Sequence, residues 1–231
     1  MTFAIITITK NDPGLSRTLE SIARQSIKPN QLIVVNGGDP VSAISSLADH
    51  VLVINEADSG IYDAMNKGVK ACETDHMLFL NAGDELYDRH SIELLLPHLK
   101  TNRITSFAIV VTDDCGNRWR LPPSAPKHQG MIFPSSNILY DASLRVYADG
   151  YYIQAMRAKY CEVQVNITPV LFYLGGVSST PSIRLCRIAW RECGILEALK
   201  KFVIFALAAL IGAQAARALI YRLKGYERIY N

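Results

Sequence analysis

The sequence predicts an α/β fold, a Rossmann-like and mainly parallel sheet flanked by helices, and three observations carry that prediction. Four short apolar runs, several of them rich in β-branched residues, recur through the first hundred residues, at 3–9, 31–36, 50–55 and 76–81. Segments with apolar residues at helical spacing separate most of them, and each run ends in polar residues dominated by Asn, Asp and Gly. Strands buried on both faces read as near-continuous apolar runs, and their alternation with helices is the pattern of a doubly wound sheet.

"FAIITIT" (3–9) is the first such strand, and the helix after it starts at Asp12-Pro13-Gly14 and places Leu15, Leu19, Ile22 and Ala23 on one face. "QLIVVN" (31–36) closes a β-α-β unit. "HVLVIN" (50–55) is a third strand, "IYDAMNKGVKAC" a helix and "HMLFLN" (76–81) a fourth strand. A helix at "SIELLLPHL", a strand at "SFAIVVT" and a Pro-rich linker "LPPSAPKHQG" follow, after which the periodicity weakens. No internal repeat or low-complexity tract is present.

Composition narrows the class of molecule. At 231 residues, 49% hydrophobic and 19% charged, the chain has enough apolar content for a core, and its length suits one domain with an appendage. Five cysteines, at 72, 115, 161, 186 and 193, are odd in number and form no C-x-x-C pair, so neither a disulfide framework nor a zinc site is expected. With an N-terminus too briefly apolar for a signal peptide, a cytoplasmic location is expected. Charge is asymmetric: from residue 181 onward nine Lys or Arg stand against three Glu, so a +6 tail follows a −3 body in a chain of net +3. Residues 202–216 carry no charge and would make a helix of roughly 23 Å, shorter than the roughly 30 Å hydrocarbon core of a bilayer. With basic residues at both ends, this tail (181–231) reads either as a helix lying in a membrane interface or as one packed on the core.

Ligands of an open parallel sheet bind beyond the carboxyl ends of its strands. There the sequence places Thr9, Lys10, Asn11 and Asp12; then Asn36, Gly37, Gly38 and Asp39; then Glu56, Asp58 and Ser59; and finally Asn81, Ala82, Gly83 and Asp84. Each cluster alone is ordinary turn chemistry, but four on one edge indicate a binding site. The third runs into "ADSGIYDAMNKGVKA" (57–71), whose helix start carries Asp63, Asn66 and Lys67. Asp63 and Lys67, four apart, are either an i, i+4 ion pair or part of the ligand edge.

"TITKND", "LIVVNGG", "ADSGIYDAMNKGVKA" and "MLFLNAGDEL" together resemble glycosyltransferase family 2, the inverting GT-A enzymes. "HQGMIFP", "YADGYYIQAM" and "FYLGGVSS" extend the resemblance toward small bacterial transferases of exopolysaccharide and O-antigen assembly, the colanic-acid type in particular, over about residues 1–180. It implies a GT-A nucleotide-diphospho-sugar transferase fold over 1–180 and a sugar transfer from a nucleotide diphosphate sugar to a hydroxyl of a lipid-linked bacterial glycan, aided by Mg2+ or Mn2+. Asp84 of "NAGD" matches the metal carboxylate, while Asn81 and Gly83 stand where the family often has further acids. Thr9 and Asn36 match the positions that clasp the base, Asn36 replacing the usual Asp, so the choice of uracil or guanine stays open. Asn11, Asp58 and Asn81 fall on the donor side, Gly60 allows close approach of the sugar nucleotide, and Asn66 is the polar helix residue expected at the ligand. Asp149 aligns with the acceptor-activating base, with Asp141 in reserve. His128 is either a ligand of metal or diphosphate or a surface histidine, and the amides of 175–179 are candidates for phosphate.

The resemblance places the enzyme in the cytoplasm or peripherally on the cytoplasmic face of the inner membrane. No nucleic-acid partner is expected, and the sequence sets no oligomeric state. A pyrophosphorylase is disfavoured because "TKNDPGLSR" lacks a Gly-rich, basic phosphate loop. A non-catalytic GT-A-like subunit of a polysaccharide assembly complex is the alternative.

Overall fold

Strand β1 (Phe3–Thr9) alternates its side chains between two faces of the sheet, and both are buried. Phe3 and Ile5 meet Leu15, Leu19 and Ile22 of α1 (Leu15–Ala23), whereas Ile6 and Ile8 meet Tyr62, Met65 and Val69 of α2 (Ile61–Ala71). The continuous apolar run therefore reflects a helix on each side. In the computed structural model the described residues are 1–41, 51–125, 127–175 and 179–230. His50, counted in the third apolar run, lies outside them.

β1 pairs in parallel with β2 (Gln31–Asn36) and β4 (His76–Phe79), and β2 with β3 (Val51–Asn55). This half of the sheet matches the parallel order expected. The second half is largely antiparallel. After β5 (Glu85–Leu86) and α3 (Ser91–Leu95) come β6 (Arg103–Thr112), β7 (Arg118–Leu121) and β8 (Met131–Pro134), with β8 antiparallel to both β4 and β6. α4 (Ala148–Lys159) then covers the face shared with α2, and β9 (Cys161–Tyr173) runs parallel to β6 and antiparallel to β5. The sheet is thus mixed, and the junction of β4 with β8 marks where its parallel half ends.

The region read as a tail holds three helices, α5 (Ile183–Cys193), α6 (Ile195–Ile211) and α7 (Ala213–Leu223), and one strand, β10 (Glu227–Ile229). β10 extends the same sheet by pairing with β7, Arg228 opposite Trp119. Tyr221 of α7 packs edge-on against Trp119 at 5.7 Å, and Arg217 pairs with Asp113 at 3.8 Å. α6 behaves differently. None of its residues is fully buried, and Leu196, Leu199, Val203 and Leu210, spaced for one face, are 53–82% exposed. The two readings of the tail thus divide between elements: α7 and β10 are packed, and α6 presents an apolar stripe.

Candidate active site

The parallel register brings Thr9, Asn36 and Asn55 level at one edge of the sheet. Thr9 is buried there, its carbonyl accepting the amide of Gly37 at 3.0 Å. Asn36, also buried, organises the loop that follows it: Oδ1 accepts from the Gly38 amide (3.0 Å), and Nδ2 donates to the Asp39 carbonyl (2.6 Å) and to Asn55 Oδ1 (2.8 Å). Asn11, at φ 56°, reaches the same loop through an Oδ1 that accepts the Asp39 amide at 2.7 Å. Only glycine fits inside this knot. A Cβ on Gly37 would lie 1.5 Å from Asp58 Oδ2, and one on Gly38 would lie 2.1 Å from Asn11 Oδ1. Asp58, its side chain 5% exposed, faces Lys10 Nζ at 3.6 Å. Three of the four polar clusters are therefore one interlocked rim.

The polar start of α2 holds that rim in place. Gly60, at φ 156°, makes the turn into the helix, and Asp63 Oδ2 accepts the Ser59 amide at 2.9 Å, which keeps its carboxyl below the usual range. Lys67 pairs with Glu56 at 3.6 Å and donates to the Ala57 carbonyl rather than bridging to Asp63. Asn66 turns inward. Its Nδ2 donates to the Tyr140 carbonyl (2.9 Å) and its Oδ1 accepts the Tyr140 amide (2.8 Å), so both ends of the amide clamp a loop 74 residues away.

The fourth cluster is the most constrained. Asp84 is 4% exposed, and its Oδ1 accepts the amide of Tyr173 at the end of β9 (3.0 Å). Its loop is gripped from α1: Thr18 Oγ1 donates to the Asp84 carbonyl (2.7 Å) and accepts the Gly83 amide (2.9 Å), and Arg17 donates twice to the Gly83 carbonyl. The Arg17 guanidinium also lies 3.8 Å over the Tyr173 ring. Gly83 adopts φ 96°, and a Cβ on Gly14 would lie 2.6 Å from its Cα. Burial pushes the Asp84 carboxyl up to about 8, and the Tyr173 amide, Lys127 and Arg17 only partly oppose this.

Asp149 sits in the first turn of α4, whose start is fixed from α5: the Glu192 carboxylate accepts the amides of Arg145, Val146 and Tyr147 at 2.8–3.1 Å. Burial raises the Asp149 carboxyl, but His128, the Gly150 amide (2.9 Å) and Lys127 outweigh it and hold the group below its usual range. The side chain remains 38% exposed, with Oδ2 3.7 Å from His128 Nδ1, an ion-pair rather than a hydrogen-bond distance. His128 is buried, packs edge-on against Phe79 of β4, and among the described residues has no hydrogen-bond partner on either ring nitrogen. Asp141 is exposed and closes its own turn by accepting from the Ser143 amide and hydroxyl. Of the 175–179 segment, residues 176–178 lie outside those described.

Sequence reasoning missed Lys127, Arg17, Thr18, Tyr173, Asn55 and Glu192. Lys127 matters most, since it lines the same cavity as Asp149, and burial holds its ammonium below the usual range although the charges of Asp149 and Asp84 oppose this. Its one visible signal was its place beside His128 in the linker. Thr18 was a polar residue inside the apolar stripe of α1.

A parallel half sheet, Asp84 in the loop after β4 and a second carboxylate, Asp149, at the start of α4 are arranged as in the GT-A glycosyltransferase fold. Residues 4–169 match the family described as Glycosyl transferase family 2, and the chain belongs to it. A PGL/p-HBAD biosynthesis glycosyltransferase of Mycobacterium tuberculosis is 34% identical over 98 residues, covering 39% of this chain and 38% of that protein. YwdF of Bacillus subtilis, described as an uncharacterized glycosyltransferase, is 32% identical over 130 residues, covering 54% of this chain and 48% of that protein. The chain thus matches less than half the length of either relative. Among solved structures, S. aureus TarS 1–349 in complex with UDP-GlcNAc superposes with a TM-score of 0.61 at 13% identity, covering 90% of this chain and 72% of that one.

A divalent cation suits the donor set at the Asp84 loop. Among the described residues Asn81 Oδ1 is a buried acceptor atom without a partner, three residues from Asp84 in sequence. Among the described residues no three His, Cys, Asp or Glu side chains converge, so the residues that would hold a cation here are the oxygens of Asp84 and Asn81. Mg2+ tolerates that, taking its other ligands from diphosphate and water.

Asn66→Ala is expected to leave the Tyr140 amide and carbonyl buried and unpaired, lowering stability by about 2 kcal/mol or more in urea unfolding. UDP affinity should be unchanged; a loss of UDP affinity without a loss of stability would assign Asn66 to the donor instead.

Proposed function

We propose that the chain is an inverting glycosyltransferase, moving a sugar from a nucleotide diphosphate sugar to a hydroxyl of a lipid-linked bacterial glycan intermediate. The observation that carries this reading is the placing of two carboxylates: Asp84 is buried at the end of β4 and tied to the end of β9, and Asp149, at the start of α4, lines a cavity together with Lys127. One end suits the leaving diphosphate and the other the incoming hydroxyl. UDP and UDP-GlcNAc in the TarS complexes make a uridine donor the first to test.

In this reading the rim of Thr9, Asn11, Asn36 and Asp58 shapes the nucleotide end of the cleft, largely through backbone held by those side chains. Asp84 and Asn81 would hold Mg2+ or Mn2+, which supplies charge neutralisation at the diphosphate. Asp149, kept ionised near neutral pH, accepts the proton of the acceptor hydroxyl as that oxygen bonds to the anomeric carbon from the face opposite the diphosphate. The sugar–phosphate C–O bond breaks, and its electron pair leaves on the nucleoside diphosphate. Lys127 places a positive charge between the two ends. His128, at 3.7 Å, orients the Asp149 carboxylate.

The place of work we infer is the surface of an anionic membrane. No helix among the described residues is long and apolar enough to cross a bilayer. The α6 stripe of Leu196, Leu199, Val203 and Leu210, with Phe202 beside it, would instead lie in the interface, each side chain worth about 1.5–3 kcal/mol on full burial. The exposed Arg184, Arg187, Arg191 and Lys200 supply charge near it.

Two outcomes are expected. Asp149→Asn should cut UDP-sugar turnover by about 100- to 10,000-fold with UDP affinity preserved. Unchanged turnover would refute the assignment, and a wild-type chain that binds donor but never transfers would favour a non-catalytic subunit. Full-length protein should float with anionic vesicles at low salt and less so at high salt, whereas a variant with Leu199, Val203 and Leu210 changed to Gln should stay in solution. Equal flotation of that variant would remove α6 from the membrane contact.

A further inference from the structure

α5 follows residue 169, where the match to the family ends, yet its contacts converge on residues 145–147 of the matched domain. Two of its three buried side chains, Leu185 and Ile188, form a small apolar cluster with Val146, against which Tyr147 packs. This cluster is separate from the two larger ones that flank the sheet. Polar contacts meet at the same stretch. Three successive amides, of Arg145, Val146 and Tyr147, donate to the Glu192 carboxylate at 2.8–3.1 Å, and the Val146 carbonyl between them accepts the Tyr62 hydroxyl of α2. Tyr151, one turn into α4, donates its hydroxyl to the Glu192 carbonyl at 2.9 Å. α4 itself starts at Tyr147 without a side-chain cap, so the anion at its start comes from α5, gathered in a ring of consecutive amides. Burial, with the charge of Asp149 next, raises the Tyr62 phenol above its usual range, and it therefore keeps the proton that it donates.

We propose that Glu192 and Tyr62 are positioning residues for Asp149: by fixing the peptide groups of residues 145–147 from two helices, they set the direction in which the first turn of α4 presents the Asp149 carboxylate to the acceptor hydroxyl. The proposal rests on the glycosyltransferase reading, with Asp149 as the base, and extends the working parts of the enzyme past the matched residues into α5. Asp149 stands two residues after the last of the three amides. Its side chain is 38% exposed, its ion-pair partner His128 is 3.7 Å away, and the 2.9 Å bond from the Gly150 amide moves with the same turn, so the aim of the carboxylate follows the backbone. A general base works only within hydrogen-bond reach of the proton it takes, and a misplacement of about 1 Å can cost about 100-fold in rate. Holding the turn is therefore holding the base.

The test is a pair of mutant cycles on the full chain, read by steady-state release of nucleoside diphosphate from a panel of UDP- and GDP-sugars with Mg2+, and by calorimetry of nucleotide binding. Glu192→Gln keeps the size of the side chain but leaves one accepting oxygen for three amides, and Tyr62→Phe removes a single hydroxyl. Each should lower kcat by about 10- to 100-fold with donor KM and nucleotide affinity unchanged. In an Asp149→Asn background neither should lower kcat further, because the effect passes through that carboxylate. A loss that persists undiminished in that background, a matching loss of nucleotide affinity, or wild-type turnover in either variant would overturn the proposal. Should Glu192→Gln fail to fold, Tyr62→Phe decides alone, since it keeps the ring that stacks on Tyr140. A wild-type chain that turns over donor and is indifferent to both substitutions refutes this inference only. One that binds nucleotide but releases no diphosphate from any donor, or an Asp149→Asn variant with full turnover, refutes the reading on which it rests.

Discussion

The amide of Tyr173 donated to the buried carboxylate of Asp84 is the contact on which the rest of the site depends. It joins the last residue of β9 to the loop that ends β4, and so ties the antiparallel half of the sheet to the parallel half at the point where the two must act together. The loop is not free to adjust, because Thr18 and Arg17 of α1 hold its backbone from below and Gly14 packs against Gly83. Burial disfavours the charged form of the carboxylate and the nearby Asp12 adds to this, which is why the group is pushed up to about 8 against the opposing Tyr173 amide, Lys127 and Arg17. A cation held at the same loop would reverse that balance.

The second half of the site is assembled from further along the chain. Glu192 of α5 fixes the backbone before α4, and Tyr62 of α2 donates its hydroxyl to the Val146 carbonyl, so the turn carrying Asp149 is held from two elements. His128 fills the space between Phe79 and Asp149. The C-terminal helices then enclose the solvent side of Asp149, and β10 secures them to the sheet edge. A region that reads as an appendage by charge is in this way continuous with the cavity wall.

β1, β2 and β4 were legible because each is an apolar run buried in the sheet, and β3, a half-exposed edge strand, because its apolar run is of the same kind, a pattern that needs only local sequence. Their terminal clusters were legible as a group for the same reason. β7, β8, β9 and β10 were not. "RWRL" and "MIFP" are too short to show a period, and "CEVQVNITPVLFY" contains Pro169 and a half-exposed face, so its partner β6 cannot be inferred from it. Side-chain roles were least legible where the partner is backbone far away. Asn66 has the composition of a ligand contact, yet its amide is taken by Tyr140, and Asn36 is taken by its own loop. Lys127 shows the converse: an unremarked residue in a linker acquires its importance from Asp84, Asp149, Lys201 and Lys224, none of them near it in sequence.

The central proposal is that Asp84, a buried carboxylate, would take a cation and with it a diphosphate. Its most direct test is a carboxyl 13C NMR titration of the metal-free protein, with Asp84→Asn identifying the resonance. The account predicts a midpoint near 8 that falls well below neutrality once Mg2+ and UDP are added together. A midpoint in the ordinary aspartate range, unmoved by Mg2+ and UDP, would contradict it.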